Sequence, residues 1–184
     1  MADGQDRRVA RTRRALDTAL FELIQIKRYD KITVQDIIDR ADVGRSTFYA
    51  HYDTKDDLLL GSLDKLTADI DRHLEDASGL TGPVLPVLGL FRHLAEHRPL
   101  FGALFGTRGI DLVMEAARVM FAGRALATIR AREADGQTHE VQAEVRAEFL
   151  AGALMAFVRW WVDADLPMAP DRVARAFDRL VESA

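Results

Sequence analysis

The 184 residues include no cysteine, which excludes disulfides and thiolate metal sites and fits a reducing compartment. Proline is scarce, five residues in all, and the one strong break in composition is where Gly79, Gly82, Pro83 and Pro86 fall close together. No apolar run reaches the ~18 residues that a membrane span requires. No stretch alternates apolar and polar residues as a half-buried strand does, and there is no internal repeat or low-complexity tract. A Gly-rich phosphate loop, a nucleophile elbow and a helix-borne metalloprotease motif of the H-E-x-x-H order are likewise missing, so catalysis has little support and no cofactor is implied. The opening segment, MADGQDRRVARTRR, carries charge with no apolar stretch after it. Export is therefore not expected, and a cytoplasmic location is.

What is present is helical periodicity. With 48% hydrophobic and 29% charged residues, the chain has an ordinary globular balance and enough length for one or two domains with a real core. Leu16, Ala19, Leu20, Leu23 and Ile24 make one stripe on a first helix from about Arg11 to Arg28. Thr33 with Asp36 looks like an N-cap and its partner acid, opening a second helix that buries Val34, Ile37, Ile38 and Ala41. Thr54, Asp56 and Asp57 open a long helix through Leu58, Leu59, Leu63, Leu66, Ile70 and Leu74. Further helices are expected near 84–97, 99–105, 111–132 and 139–163, and a last one carries Val173, Ala176, Phe177, Leu180 and Val181. The expectation is an all-α chain of roughly nine helices: a three-helix domain over 1–53, a linking helix over about 54–77 and a helical domain over 78–184.

The segment from Thr33 to Lys55, TVQDIIDRADVGRSTFYAHYDTK, reads as two short helices joined by a tight turn at Asp42 and Val43. Gly44 opens the second helix, which carries Arg45, Ser46, Thr47, Tyr49 and His51, all side chains that hydrogen-bond to nucleic acid. Helix-turn-helix proteins lay such a helix in the major groove of duplex DNA. Phe48 reads as core. A glycine at the helix start lets backbone approach a phosphate closely. The net charge of −4 is unevenly spread: from Arg7 to Tyr52 ten basic residues face six acidic ones, giving +4, and the remainder carries −8. Phosphate attraction is thus confined to one end. Arg7, Arg8, Arg11, Arg13 and Arg14 read equally as a flexible DNA-contacting arm or as a solvated basic tail.

TRRAL, followed by ITVQDIIDRADVGRSTFYAHYDTKDDLL, resembles the tetracycline-repressor (TetR) family of one-component transcription regulators, most specifically over Thr12 to Leu59. The resemblance implies that Arg45, Ser46 and Thr47 face bases or adjacent phosphates, with Gly44 at the helix start. It implies that Tyr49, His51 and Tyr52 clamp the backbone, and that Thr33 and Lys55 reach phosphates. Two positions depart from the family, which often has glycine where Arg28 and Asp42 stand. Asp tolerates left-handed backbone, so the turn should survive, whereas Arg28 implies a different ending to the first helix.

The run Phe149 to Val158, FLAGALMAFV, is apolar on every face, as in a helix buried on both sides. The resemblance implies that the last two helices pair with their copies in a homodimer, here through Phe149, Gly152, Ala153, Ala156, Phe157, Trp161, Val173, Phe177 and Leu180. A central helix of a monomer is the alternative. Two recognition helices one DNA turn apart would read a palindrome. The resemblance also places an unidentified small-molecule effector among the middle helices, with Phe91, Phe101, Phe105, Met114, Phe121, Arg124, Met155 and Trp160 as candidate lining. Each of these also reads as plain core, and Arg124 as a surface residue. His93 and His97 have the spacing at which two imidazoles share a metal. Glu96 is expected to face elsewhere, so they read as solvent-exposed, with no metal. The expected function is a homodimeric, effector-released repressor on a DNA operator. A regulator with no small-molecule input, and a helical carrier or enzyme that ignores DNA, are the two alternatives.

Overall fold

The computed structural model describes residues 2–62, 83–85 and 87–182, with side chains from Arg7 onward. The elements are α1 (Ala2–Ile26), a 3-10 turn (Tyr29–Lys31), α2 (Val34–Ala41), α3 (Arg45–Tyr49), α4 (helical over 55–62), α5 (Leu88–Glu96), α6 (Arg98–Leu104), α7 (Arg108–Ala134), α8 (Ala143–Asp163) and α9 (Pro170–Glu182). Among the described residues there are nine α-helices and no strand, so the chain is all-α. The rest of the expected linking helix, with Leu63, Leu66, Ile70 and Leu74, and the break at Gly79, Gly82 and Pro86 lie outside the described residues. Among the described residues no helix is long and apolar enough to cross a membrane.

The chain divides into two compact units, residues 1–66 with 99–113, and residues 67–98 with 114–184. In the first, Leu16, Leu20, Ile24, Tyr29, Ile37, Phe48, Leu58 and Leu59 form the core. The α1 helix begins well before Arg11 because Ala and Arg are strong helix formers and nothing at 5–11 interrupts them. Arg7, Arg8, Arg11, Arg13 and Arg14 therefore stand exposed on a helix, not on a flexible arm.

Residues 99–113, assigned from sequence to the C-terminal domain, group with the first unit. Three contacts show why. The Arg28 guanidinium donates to the Gly106 carbonyl at 2.7 Å, and Asp30 accepts the Arg108 amide at 3.0 Å. At Gly109 a Cβ would stand 2.9 Å from both the Tyr29 ring and Leu104, so only glycine permits the approach. Arg28 thus ends α1 by turning into an extended backbone (φ −53, ψ 133) and reaching the α6–α7 turn.

In the second unit α5 and α8 both pack on α9. Phe91 meets Trp161 edge-to-face at 5.2 Å, Trp161 Nε1 donates to the Met168 carbonyl at 3.0 Å, and Phe157 lies 5.8 Å from Phe177. Trp161, Val173 and Phe177, expected on a dimer face, are buried in their own unit, and Trp161 is 0% exposed. Trp160, expected in an effector pocket, is 46% exposed. Neighbouring helix positions point about 100° apart, and it is Trp161 whose ring and N–H both find partners inside. The α8 helix buries Leu150, Ala151, Leu154, Met155 and Val158 on one side only. Its other side stays open within the single chain.

Candidate nucleic-acid interface

The first unit is organised to hold α3. The α1 helix packs on α2, and α2 on α3. A reciprocal cap starts α2: Thr33 Oγ1 accepts the Asp36 amide at 3.1 Å while Asp36 Oδ2 accepts the Thr33 amide at 2.7 Å. Lys27 Nζ donates to the same carboxylate at 2.7 Å, and together these bonds hold the Asp36 pKa down at about 2. Arg40 is tied to Glu22 at 2.6 Å. The helix stops at Asp42, whose backbone is left-handed (φ 52, ψ 50) as its place in the turn requires. Gly44 is then the N-cap of α3, and its carbonyl accepts the Thr47 and Phe48 amides.

Phe48 is fully buried and sets the rotation of α3. Tyr49 meets its ring edge-to-face at 5.4 Å. With Phe48 inward, Arg45, Ser46 and Tyr49 are exposed and Thr47 is half-buried. Among the described residues Arg45 makes no ion pair, whereas Lys27, Arg28 and Arg40 each do. The start of α3 therefore offers an uncommitted guanidinium beside two hydroxyls, groups that suit base edges and phosphates.

The remaining candidates are placed less simply. The α3 helix ends at Tyr49, so His51 lies in the following turn, half-buried, where the Phe48 carbonyl accepts both the His51 and Tyr52 amides. Tyr52 turns toward the packing side, 6.1 Å from Phe48, and burial with the Asp17 carboxylate pushes its phenol up. The Thr33 hydroxyl donates to Asp36 Oδ2 at 2.8 Å, so its proton is committed to the cap. Lys55 Nζ donates to the Tyr29 and Ile32 carbonyls, both at 2.8 Å, and burial lowers its pKa. Thr33, Tyr52 and Lys55, expected on phosphates, thus hold the unit together first, because each finds an internal partner. The cluster of Tyr29, Asp56, Lys55 and Arg108 has no signature in the sequence, where these residues are scattered and carry no local signal. Tyr29 Oη donates to Asp56 at 2.5 Å, and Arg108 lies 3.3 Å from the same carboxylate.

Comparison with known proteins agrees with this arrangement. Residues 16–61 match the model of bacterial regulatory proteins of the tetR family, and residues 87–183 match that of a transcriptional regulator C-terminal region. This chain belongs to the TetR family. It is a DNA-binding transcriptional regulator. A curated relative, "Uncharacterized HTH-type transcriptional regulator YxbF" of Bacillus subtilis (strain 168), is 42% identical over 74 residues, 40% of this chain but only 20% of that protein's length. A TetR transcriptional regulator from Streptococcus agalactiae 2603V superposes with a TM-score of 0.63 at 23% identity, covering 98% of this chain and 99% of that one. A TetR-family regulator of Syntrophomonas wolfei gives 0.69 at 17% identity, covering 94% and 93%. These two likenesses establish the fold.

Within the TetR-family fold, the expected effector residues are spread over both units. Phe101 and Phe105 belong to the first, and Phe91, Met114, Phe121, Arg124, Met155 and Trp160 to the second. Phe91, Phe101, Phe121 and Met155 are buried, and Arg124 is half-buried with its guanidinium 5.9 Å from the Phe121 ring centre. Burial lowers the Arg124 pKa. Of the expected dimer residues, Phe149, Gly152, Ala156 and Leu180 are exposed and Ala153 and Phe157 half-buried.

Proposed function

We propose that two copies of this chain associate through α8 and α9, place their α3 faces on a palindromic operator, and repress transcription until a small-molecule effector releases them. One observation carries the reading. Val145, Phe149, Gly152, Ala156 and Trp160 follow one another on α8 at steps of three and four residues, and all five are exposed. Phe149, the largest side chain near the start of this run, is 61% exposed. Beside it a groove of about 780 Å³ has an apolar side (Val145, Phe149, Phe177, Val181) and a charged rim that includes Arg132 and Glu182. A continuous apolar strip of this kind marks an association surface. Gly152 and Ala156 lack bulk where two helices would cross, and a two-fold axis would set the same strip against itself.

Dimerisation supplies what a single α3 of five residues lacks. Two copies, about 34 Å apart on one face of the duplex, double the contacts and read a two-fold sequence. The effector reading rests on the family and on the aromatic and Met side chains of the second unit, with Arg124 as the charged contact. Release requires that the effector favour one of two conformations.

The test is a pair of measurements on wild type and Phe149→Glu. Wild type should sediment as a dimer and shift a duplex with strong salt dependence. The variant should sediment as a single chain and lose specific binding while keeping its helical content. A wild-type protein that sediments as one chain would overturn the proposal.

A further inference from the structure

We propose that His93 and Glu96, on the last turn of α5, and His97, its C-cap, bind a divalent transition-metal ion of the zinc, nickel or copper class. One nitrogen of each histidine and a carboxylate oxygen of Glu96 all lie within 4.8 Å of one another. Glu96, expected from sequence to face elsewhere, is therefore the third member of the cluster. The two imidazoles are stacked, with centroids 4.1 Å apart and planes 23° from parallel, so both stand on one side of the helix. A tetrahedral zinc with bonds near 2.1 Å needs donors about 3.4 Å apart, within reach of small side-chain rotations.

Three further features favour a cation here. His97 Nδ1 lies 3.1 Å from the His93 carbonyl. Donation across that distance fixes the tautomer and leaves Nε2 as a lone pair, which is how ligating histidines are commonly oriented. The cluster sits at the C-terminal end of α5, where the helix dipole attracts positive charge. The flanking cations are already countered, Arg92 by Asp171 at 2.7 Å and Arg98 by Asp165. In sequence the cluster is H-x-x-E-H, the reverse of the metalloprotease order, and a helix carrying it presents both histidines to one zinc. Two imidazoles and one carboxylate suit zinc, nickel or copper and disfavour magnesium, which prefers oxygen donors. The site is open on its outer side, where water would complete the coordination. No hydrolytic step is proposed.

The experiment is calorimetric titration of zinc into untagged, metal-stripped protein near neutral pH, independent of any DNA measurement. Wild type should bind one zinc per chain in the micromolar range, with no response to magnesium. Replacing both histidines (His93→Ala with His97→Ala) should weaken binding by about tenfold or more, and Glu96→Gln should weaken it less. Glu96 and His97 are exposed and His93 half-buried, so the variants should melt like wild type in the presence of a chelator. The His97→Ala variant alone serves where the double variant is unstable. Zinc should raise the wild-type melting temperature and leave that of the double variant unmoved. Equal stoichiometry and affinity after loss of both histidines would place any metal elsewhere in the chain and overturn the assignment.

Discussion

Lys55 Nζ stands 4.5 Å from the centre of the Tyr29 ring and donates to the Tyr29 carbonyl at 2.8 Å. The same ammonium donates to Ile32, so one side chain at the start of α4 closes the connection between α1 and α2. Lys55→Met keeps the stem but removes the ammonium from the Ile32 carbonyl and from the Tyr29 carbonyl, which still accepts the Ile32 amide at 3.1 Å. Urea unfolding should show a loss of about 1–2 kcal/mol. An unchanged midpoint would mean that water satisfies both carbonyls equally well.

Asp36 gives the fold an acid-sensitive cap. Its folded pKa is held at about 2, below the ordinary 3.8, so its contribution is complete above about pH 4 and is lost as pH falls through 2. Unfolding measured at pH 5, 3 and 2 (all approximate set points) should therefore show less acid loss for Asp36→Asn than for wild type. Parallel acid limbs for the two proteins would refute the cap's role.

Asp42 occupies left-handed backbone that a side chain tolerates at a cost. Asp42→Gly should raise stability by roughly 0.5–1 kcal/mol, read as a higher melting temperature. A lower melting temperature would show that the carboxylate makes a stabilising contact beyond the turn.

Gly44 separates folding from DNA contact. A Cβ there would meet only Thr47 Oγ1 at 3.8 Å and Ser46 Oγ at 4.0 Å, both ordinary contacts, and the backbone is extended. Gly44→Ala should melt within a few degrees of wild type while losing duplex affinity. Alanine is a clearly poorer N-cap than glycine, its lower unfolded-chain entropy offsets part of that loss, and its methyl would fill space where a phosphate approaches. Full retention of affinity would show that the start of α3 does not approach the duplex closely.

Much of the DNA-binding unit could be read in the sequence because its signals are local. Thr33 and Asp36 stand three apart and form the expected cap, Phe48 is core, and Asp42 is left-handed where the turn demands it. The internal contacts of Lys55 and Arg28 are not legible in this way. Their partners lie 23–26 and 78 residues away, and only the tertiary fold brings them within reach. The run FLAGALMAFV defeated the assignment of faces for a different reason. Where every side chain is apolar, periodicity carries no phase, and just beyond the run it is Trp161 that is buried and Trp160 that is exposed, the reverse of the expected facing. The structure supplies that phase through Phe91 and Met168, which receive the Trp161 ring and N–H.

The most direct test of the account is a hydroxyl-radical footprint on a duplex selected from a random pool, compared between wild type and Arg45→Ala. The account predicts two protected blocks about one helical turn apart and related by two-fold symmetry, and about 1–3 kcal/mol weaker specific binding by the variant. A single asymmetric block, or a footprint that Arg45→Ala leaves unaltered, would contradict it.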